Sequence, residues 1–241
     1  MCVVVLGILK HLVCRTTEAF SHYNRLMSEI IQTLTVYALP VLFAITFHEA
    51  AHGYVARLFG DATATLEGRV TLNPLKHIDP IGTIAVPVGI LLLSKLLGGP
   101  ALLFGWAKPV PVDFGQLRRP KQDMLWVALA GPAANMLMAI AWAIGLRILF
   151  DSGERAGFWF EMCQAGIHIN LVLMALNLLP ILPLDGGRIL FSLLPNRLAW
   201  QYGRMEPYGM WVVIALLATG MLTTLISPLV AGGEWILRLF L

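Results

Sequence analysis

Long apolar runs dominate this chain and limit what it can fold into. They stand at about Thr35–Phe59, Ile81–Leu97, Leu125–Phe150, Phe158–Leu182 and Tyr208–Ile226. Each has roughly 17–25 residues, the length a helix needs to cross a ~30 Å hydrocarbon core. Composition points the same way: 58% of the 241 residues are hydrophobic and only 13% charged, whereas a soluble domain carries about a quarter charged. In lipid, such runs satisfy their backbone polar groups as helices. The predicted fold is an all-α polytopic membrane protein with five to six transmembrane helices. The sixth depends on the tail Pro228–Leu241, which contains Glu234 and Arg238 and reads as a partial span or an interfacial helix.

The stretches between the runs carry the charge. A net charge of +3 is small, and its placement in loops reads as a topology signal, so the lipid bilayer and no nucleic acid is the expected partner. With five spans, one side holds Lys10, Arg15, Arg25, Lys108, Arg118, Arg119, Lys121, Arg188, Arg197 and Arg204, and the other Arg69, Lys76, Arg155 and Arg238. That imbalance predicts a cytoplasmic N-terminus. Cys2, Cys14 and Cys163 form no C-x-x-C pair, so neither a disulfide framework nor a thiolate zinc site is expected. The opening "MCVVVLGILKHLVC" lacks a basic n-region and a small-residue cleavage site. Residues 1–33 read as an extension, and residues 34–241 as a single membrane-embedded core.

Two segments read as short strands or re-entrant pieces near the active site rather than helices, with a plain surface loop as the equal alternative. "GRVTLNP" (Gly68–Pro74) alternates β-branched and polar residues before an Asn-Pro break. "KPVPVDF" (Lys108–Phe114) places prolines at alternate positions, which suits an exposed edge and forbids a central strand.

The first run holds His48-Glu49-Ala50-Ala51-His52, an H-E-x-x-H motif. On a helix, positions i and i+4 share a face, so both imidazoles can aim a nitrogen at one ion, while Glu49 reaches a water beside it without ligating. Pro40, tolerated in a first turn, predicts a helix start near Ala38. His48 then lies about 12–15 Å along the axis at 1.5 Å per residue, near mid-membrane. Ionisable groups at that depth are functional by default, and a zinc ion compensates their burial. A catalytic zinc site takes three protein ligands and leaves one position open. The candidates for the third, in apolar context, are His168, Glu161, Cys163 and Asp185. Asp185 stands out within "NLLPILPLDGGRILFSLLP" (Asn177–Pro195), where Pro180 and Pro183 end a helix and Gly186-Gly187 permits a tight turn. The alternative for Asp185 is a solvated turn aspartate. His168 and Asn170 are expected to face the interior, with Asn170 and Asn177 on one helical stripe.

H-E-x-x-H in a membrane helix together with a distal N-x-x-P-x-x-x-L-D-G, here Asn177 to Gly186, resembles the motif pair of the site-2 proteases, a family of intramembrane zinc metalloproteases. The likeness runs from about Tyr37 to Leu194 and is similar to the compact prokaryotic members without appended regulatory domains. "GRVTLNPLKHIDPIGT", "FGWAKPVPV" and "GPAAN" also look like that subgroup's connecting segments. The chain departs from the family in Leu182-Pro183, where two prolines are common, and in Leu176, where Phe is frequent.

The resemblance implies that His48, His52 and Asp185 ligate one Zn2+ and that Glu49 is the general base. It further implies that Asn177 helps to hold substrate or the oxyanion, a role in which Asn135 of "GPAAN" is a weaker candidate and an interhelical hydrogen bond its alternative. His168 and Asn170 are expected in supporting or packing roles. The implied activity is endoproteolysis of a transmembrane helix in a membrane-protein substrate, in a bacterial or archaeal cell membrane. Two other classes compete: an intramembrane metal or ion transporter, which needs sites spread across the bilayer depth, and a non-catalytic membrane scaffold.

Overall fold

A computed structural model describes residues 35–86, 89 and 108–240. The extension 1–33 and most of the run Ile81–Leu97 lie outside the described residues. Helix α1 occupies residues 35–58. Pro40 is therefore inside the helix, not in its first turn as expected. The residue is fully buried, and packing offsets the one hydrogen bond its missing N–H removes. A single-turn helix α2 (Thr63–Leu66) follows, then a 3-10 turn at Pro74–Lys76 and a π turn at Pro80–Ala85. Beyond the segment 108–113 and a 3-10 turn at Phe114–Gln116, helix α3 runs over Pro120–Asp151 and α4 over Phe158–Asn177. Four more helices complete the order: α5 (Asp185–Leu193), α6 (Asn196–Gly203), α7 (Glu206–Ala218) and α8 (Met221–Leu237).

Helices α3 and α4 are long and apolar enough to cross a membrane, and α7 with α8 would make a third crossing if that bent pair counts as one. Five to six spans are thus not all seen among the described residues. The fifth apolar run is not one helix: it breaks between Thr219 and Gly220, and the two halves are bent by 92°. Gly220 takes φ +73°, the left-handed conformation that ends α7. The bundle packs through small residues, with Ala139 and Ala143 of α3 against Leu171 and Met174 of α4 and Leu237 of α8. The outer surface stays apolar. In the most apolar stretch of α3 only 17% is buried, and Trp126, Leu137 and Ile148 are exposed, a surface that lipid must cover.

Neither "GRVTLNP" nor "KPVPVDF" forms a strand; the described residues contain none. The groups that would make a ladder are spent elsewhere. Lys108 N–H donates to the His77 carbonyl at 2.9 Å, Val110 N–H to Glu49 at 2.7 Å and Asp113 N–H to Asp61 at 2.7 Å. Pro109 and Pro111 have no N–H to offer. Arg69 covers the opposite edge, donating to the carbonyls of Lys76, Lys108 and Pro109.

These bonds also correct the expected topology. Arg69, Lys76 and His77 are hydrogen-bonded neighbours of Lys108, so they lie on the same side of the molecule, not across a membrane from it. Lys121 reaches the Leu194 carbonyl and the Asn196 side chain, which brings the α5–α6 connection to that side as well.

Candidate active site

The last turns of α1 set His48 and His52 on one face, with their Nε2 atoms 3.1 Å apart. Asp185 is the first residue of α5, and its Oδ2 lies 3.2 Å from His48 Nε2 and 3.3 Å from His52 Nε2. What brings it there is a close backbone fold. A Cβ on Gly186 would stand 2.2 Å from the Leu178 carbonyl oxygen, and one on Gly187 2.4 Å from the Leu182 nitrogen. The D-G-G is thus a tight-packing device holding a buried aspartate, not a solvated turn.

The protons in this triangle follow from the partners. His52 Nδ1 is 2.7 Å from the Val127 carbonyl, which can only accept, so Nδ1 carries a hydrogen and the neutral ring keeps its lone pair on Nε2. For His48 the deduction starts further away. The Gly166 carbonyl accepts from Asn170 Nδ2 at 2.8 Å. Asn170 Oδ1 then faces Asn135 Nδ2 at 3.0 Å, and Nδ2 also reaches the Ala44 carbonyl at 3.3 Å. Asn135 Oδ1 is left for His48 Nδ1, 2.6 Å away, which must donate. Both Nε2 lone pairs therefore converge on a carboxylate oxygen that has no hydrogen-bond donor. With both rings neutral, three acceptors close on one another with no proton between them, an arrangement that a cation satisfies.

The dimensions fit zinc. Tetrahedral ligands at 2.0–2.1 Å from an ion lie about 3.3 Å from one another, and the three contacts here span 3.1–3.3 Å. His48, His52 and Asp185 are the group of metal-capable side chains found among the described residues. Gly131 of α3 closes one side: a Cβ there would come within 2.4 Å of His52 Nε2 and 2.5 Å of His48 Cε1.

Glu49 lies beside this triangle and accepts the Val110 N–H through Oε2. It lines a cavity of about 660 Å³ with His48, His52 and Asp185, and with Asn177, Val110, Val112, Met210 and Val213 among the walls. Asn177 donates to the Leu173 carbonyl of its own helix at 3.0 Å and keeps its amide at the cavity. Asn135 and Asn170, both fully buried, meet each other and His48 rather than the cavity. His168 is exposed, contrary to expectation, as is Glu161, while Cys163 is buried away from the triangle. The helical stripe that holds Asn170 inside turns His168 outward, two residues earlier. Sequence reasoning passed over Gly131 and Arg69; the first shows only as part of "GPAAN" and the second only as a loop charge.

Comparison with known proteins places these features in a family. The model of Peptidase family M50 matches residues 148–220, which include Asn177 and Asp185. YwhC of Bacillus subtilis, provisionally named a zinc metalloprotease, is 36% identical over 211 residues, covering 84% of this chain and 89% of its own length. Rip2 of Mycolicibacterium smegmatis, named in the same provisional way, is 32% identical over 178 residues, 74% of this chain and 64% of its own. No solved structure matches at a comparable level.

Proposed function

This chain belongs to peptidase family M50, the site-2 protease family, and is a membrane metalloendopeptidase; we propose that it cleaves membrane-protein substrates within or beside a transmembrane helix. The observation that carries this reading is the convergence of His48, His52, Asp185 and the half-buried Glu49 on one largely apolar cavity. His48 and His52 through Nε2, with Asp185 through Oδ2, would hold one Zn2+, as the names of the relatives suggest. That ion supplies Lewis acidity, which makes water acidic enough to lose a proton near neutral pH.

The remaining work falls to side chains. Glu49 keeps Oε2 on the Val110 N–H, so its other oxygen accepts a proton from the attacking water. As the new C–O bond forms and the peptide C–N bond breaks, Glu49 returns a proton to the departing amine. Asn177 supplies an amide donor at the cavity for the oxygen that becomes negative. Val112 N–H and the carbonyls of Val110 and Val112 have no partner among the described residues, which suits pairing with an unwound substrate segment by strand addition.

The positions of the basic residues support an orientation. Lys76, Lys108, Lys121, Arg188 and Arg197 gather at the cavity end, which by the positive-inside rule favours a cytoplasmic place for that end. The residue-35 end of α1 then lies on the far side.

The test compares cell membranes carrying wild-type chain or Glu49→Gln. Fragments of single-span proteins should accumulate only with wild type, at equal zinc content in the two purified proteins. Cleavage that persists in Glu49→Gln would sink the assignment.

A further inference from the structure

Arg69 is 7% exposed, yet no carboxylate pairs with it among the described ion pairs. A guanidinium buried on neutral partners alone is costly, so its surroundings must justify it. Its Nη1 donates to the Lys76 carbonyl, and its Nη2 to Lys108 O at 2.8 Å and Pro109 O at 3.1 Å. The last contact is informative. Pro109 C=O and Val110 N–H are the two ends of a single peptide group, and that peptide is trans. In a trans peptide the carbonyl and the N–H point in opposite directions. With Arg69 on the carbonyl, the N–H points away from it, and there it meets Glu49 Oε2 at 2.7 Å.

We propose that Arg69 is the counter-charge of Glu49, acting through the Pro109–Val110 peptide, and is a positioning residue for proton transfer. Cation, carbonyl, N–H and carboxylate stand in line, each polarising the next in the same sense. The ion pair is thereby split across one peptide thickness. Glu49 gains a fixed, strengthened donor without having a cation beside the metal ligands, where it would compete for Asp185. The segment is pinned again at Asp113 by Asp61, so the 109–110 peptide cannot rotate freely. Glu49 is then held in one rotamer with one oxygen left for the water.

This rests on the reading of Glu49 as proton acceptor, and the experiment separates the two. Full-length wild type, Arg69→Met, Arg69→Lys, Glu49→Ala and Glu49→Gln are purified in detergent. Zinc content, amide exchange of the peptide spanning 108–113, and kcat and KM on a reconstituted single-span reporter peptide are measured. Arg69→Met should keep full zinc, exchange faster at 108–113 as Glu49→Ala does, and lose about 100-fold in kcat with little change in KM, the scale expected for a misplaced catalytic group. Arg69→Lys, which keeps the charge, should recover part of both the protection and kcat. It also replaces Arg69→Met in the comparison if that variant does not fold. Unchanged exchange and kcat in the Arg69 variants overturn the proposal, and so does loss of zinc in step with kcat, which marks a merely structural role. If wild type and Glu49→Gln are equally inactive, the proteolytic reading fails, and the exchange arm still decides whether Arg69 and Glu49 share the peptide.

Discussion

His48 donates to a side-chain amide on a membrane helix, whereas its neighbour Glu49 accepts from the backbone of an irregular segment. The metal triangle is built from α1 and α5, and α3 backs both histidines, through Val127, Gly131 and Asn135. Glu49 is steadied by residues 108–113, which take their shape from Arg69, Asp61 and the prolines instead of from a ladder. Metal ligands tolerate little displacement, and helices packed through Ala139 and Gly131 supply that rigidity. A segment that must also admit a substrate is better fixed at a few points, leaving Val112 unpaired for the incoming chain.

Substitutions at three positions sharpen this contrast. Asp185→Ala removes a ligand and should have the largest effect, weakening zinc by more than the roughly 100-fold upper range for losing a ligand's supporting partner. Competition with a chelator of known affinity measures it. Asn135→Leu leaves all three ligands but takes away the acceptor that fixes His48 Nδ1–H; zinc should weaken about 10–100-fold. Asn135→Asp, which retains an acceptor, should restore most of that affinity. If Asn135→Leu binds zinc as wild type does, the helix-borne network does not tune the metal. Asp61→Ala frees the end of segment 108–113 and the Thr63 N–H, which should cost about 1–3 kcal/mol in thermal or denaturant unfolding. Zinc affinity should not change, and turnover should fall less than in Asn135→Leu. A drop in zinc affinity for Asp61→Ala would show that the two regions are not separate.

What the sequence revealed follows the same division. The spacing of His48 and His52 is local, and helical geometry alone puts them on one face. Asp185 was legible as a candidate because Pro180, Pro183 and Gly186-Gly187 announce a break, though not the backbone contact that draws it inward. The buried asparagines were visible as polar residues on apolar helices, but not the direction of their hydrogen bonds, which depends on the Gly166 carbonyl. Alternation describes side chains, whereas in "KPVPVDF" Arg69, Glu49 and Asp61 had already claimed backbone groups of Lys108, Pro109, Val110 and Asp113. Arg69 was misread for a related reason. A charge between two apolar runs looks like a topology marker until a contact 39 residues away shows where it points. The broken run at Thr219–Gly220 was hidden by hydropathy, which is blind to one left-handed glycine.

Helix α3 has 32 residues, about 48 Å at 1.5 Å per residue, while the hydrocarbon core of a bilayer is about 30 Å thick. The surplus is taken up by tilt or by helix ends standing in the headgroups. Gly131 and Asn135 both ride on α3, one pressed against the ligand histidines and the other bonded to His48. A change of tilt would therefore move residues that touch His48 and His52. The length of α3 thus ties the seat of one helix in the bilayer to the two residues that back His48 and His52.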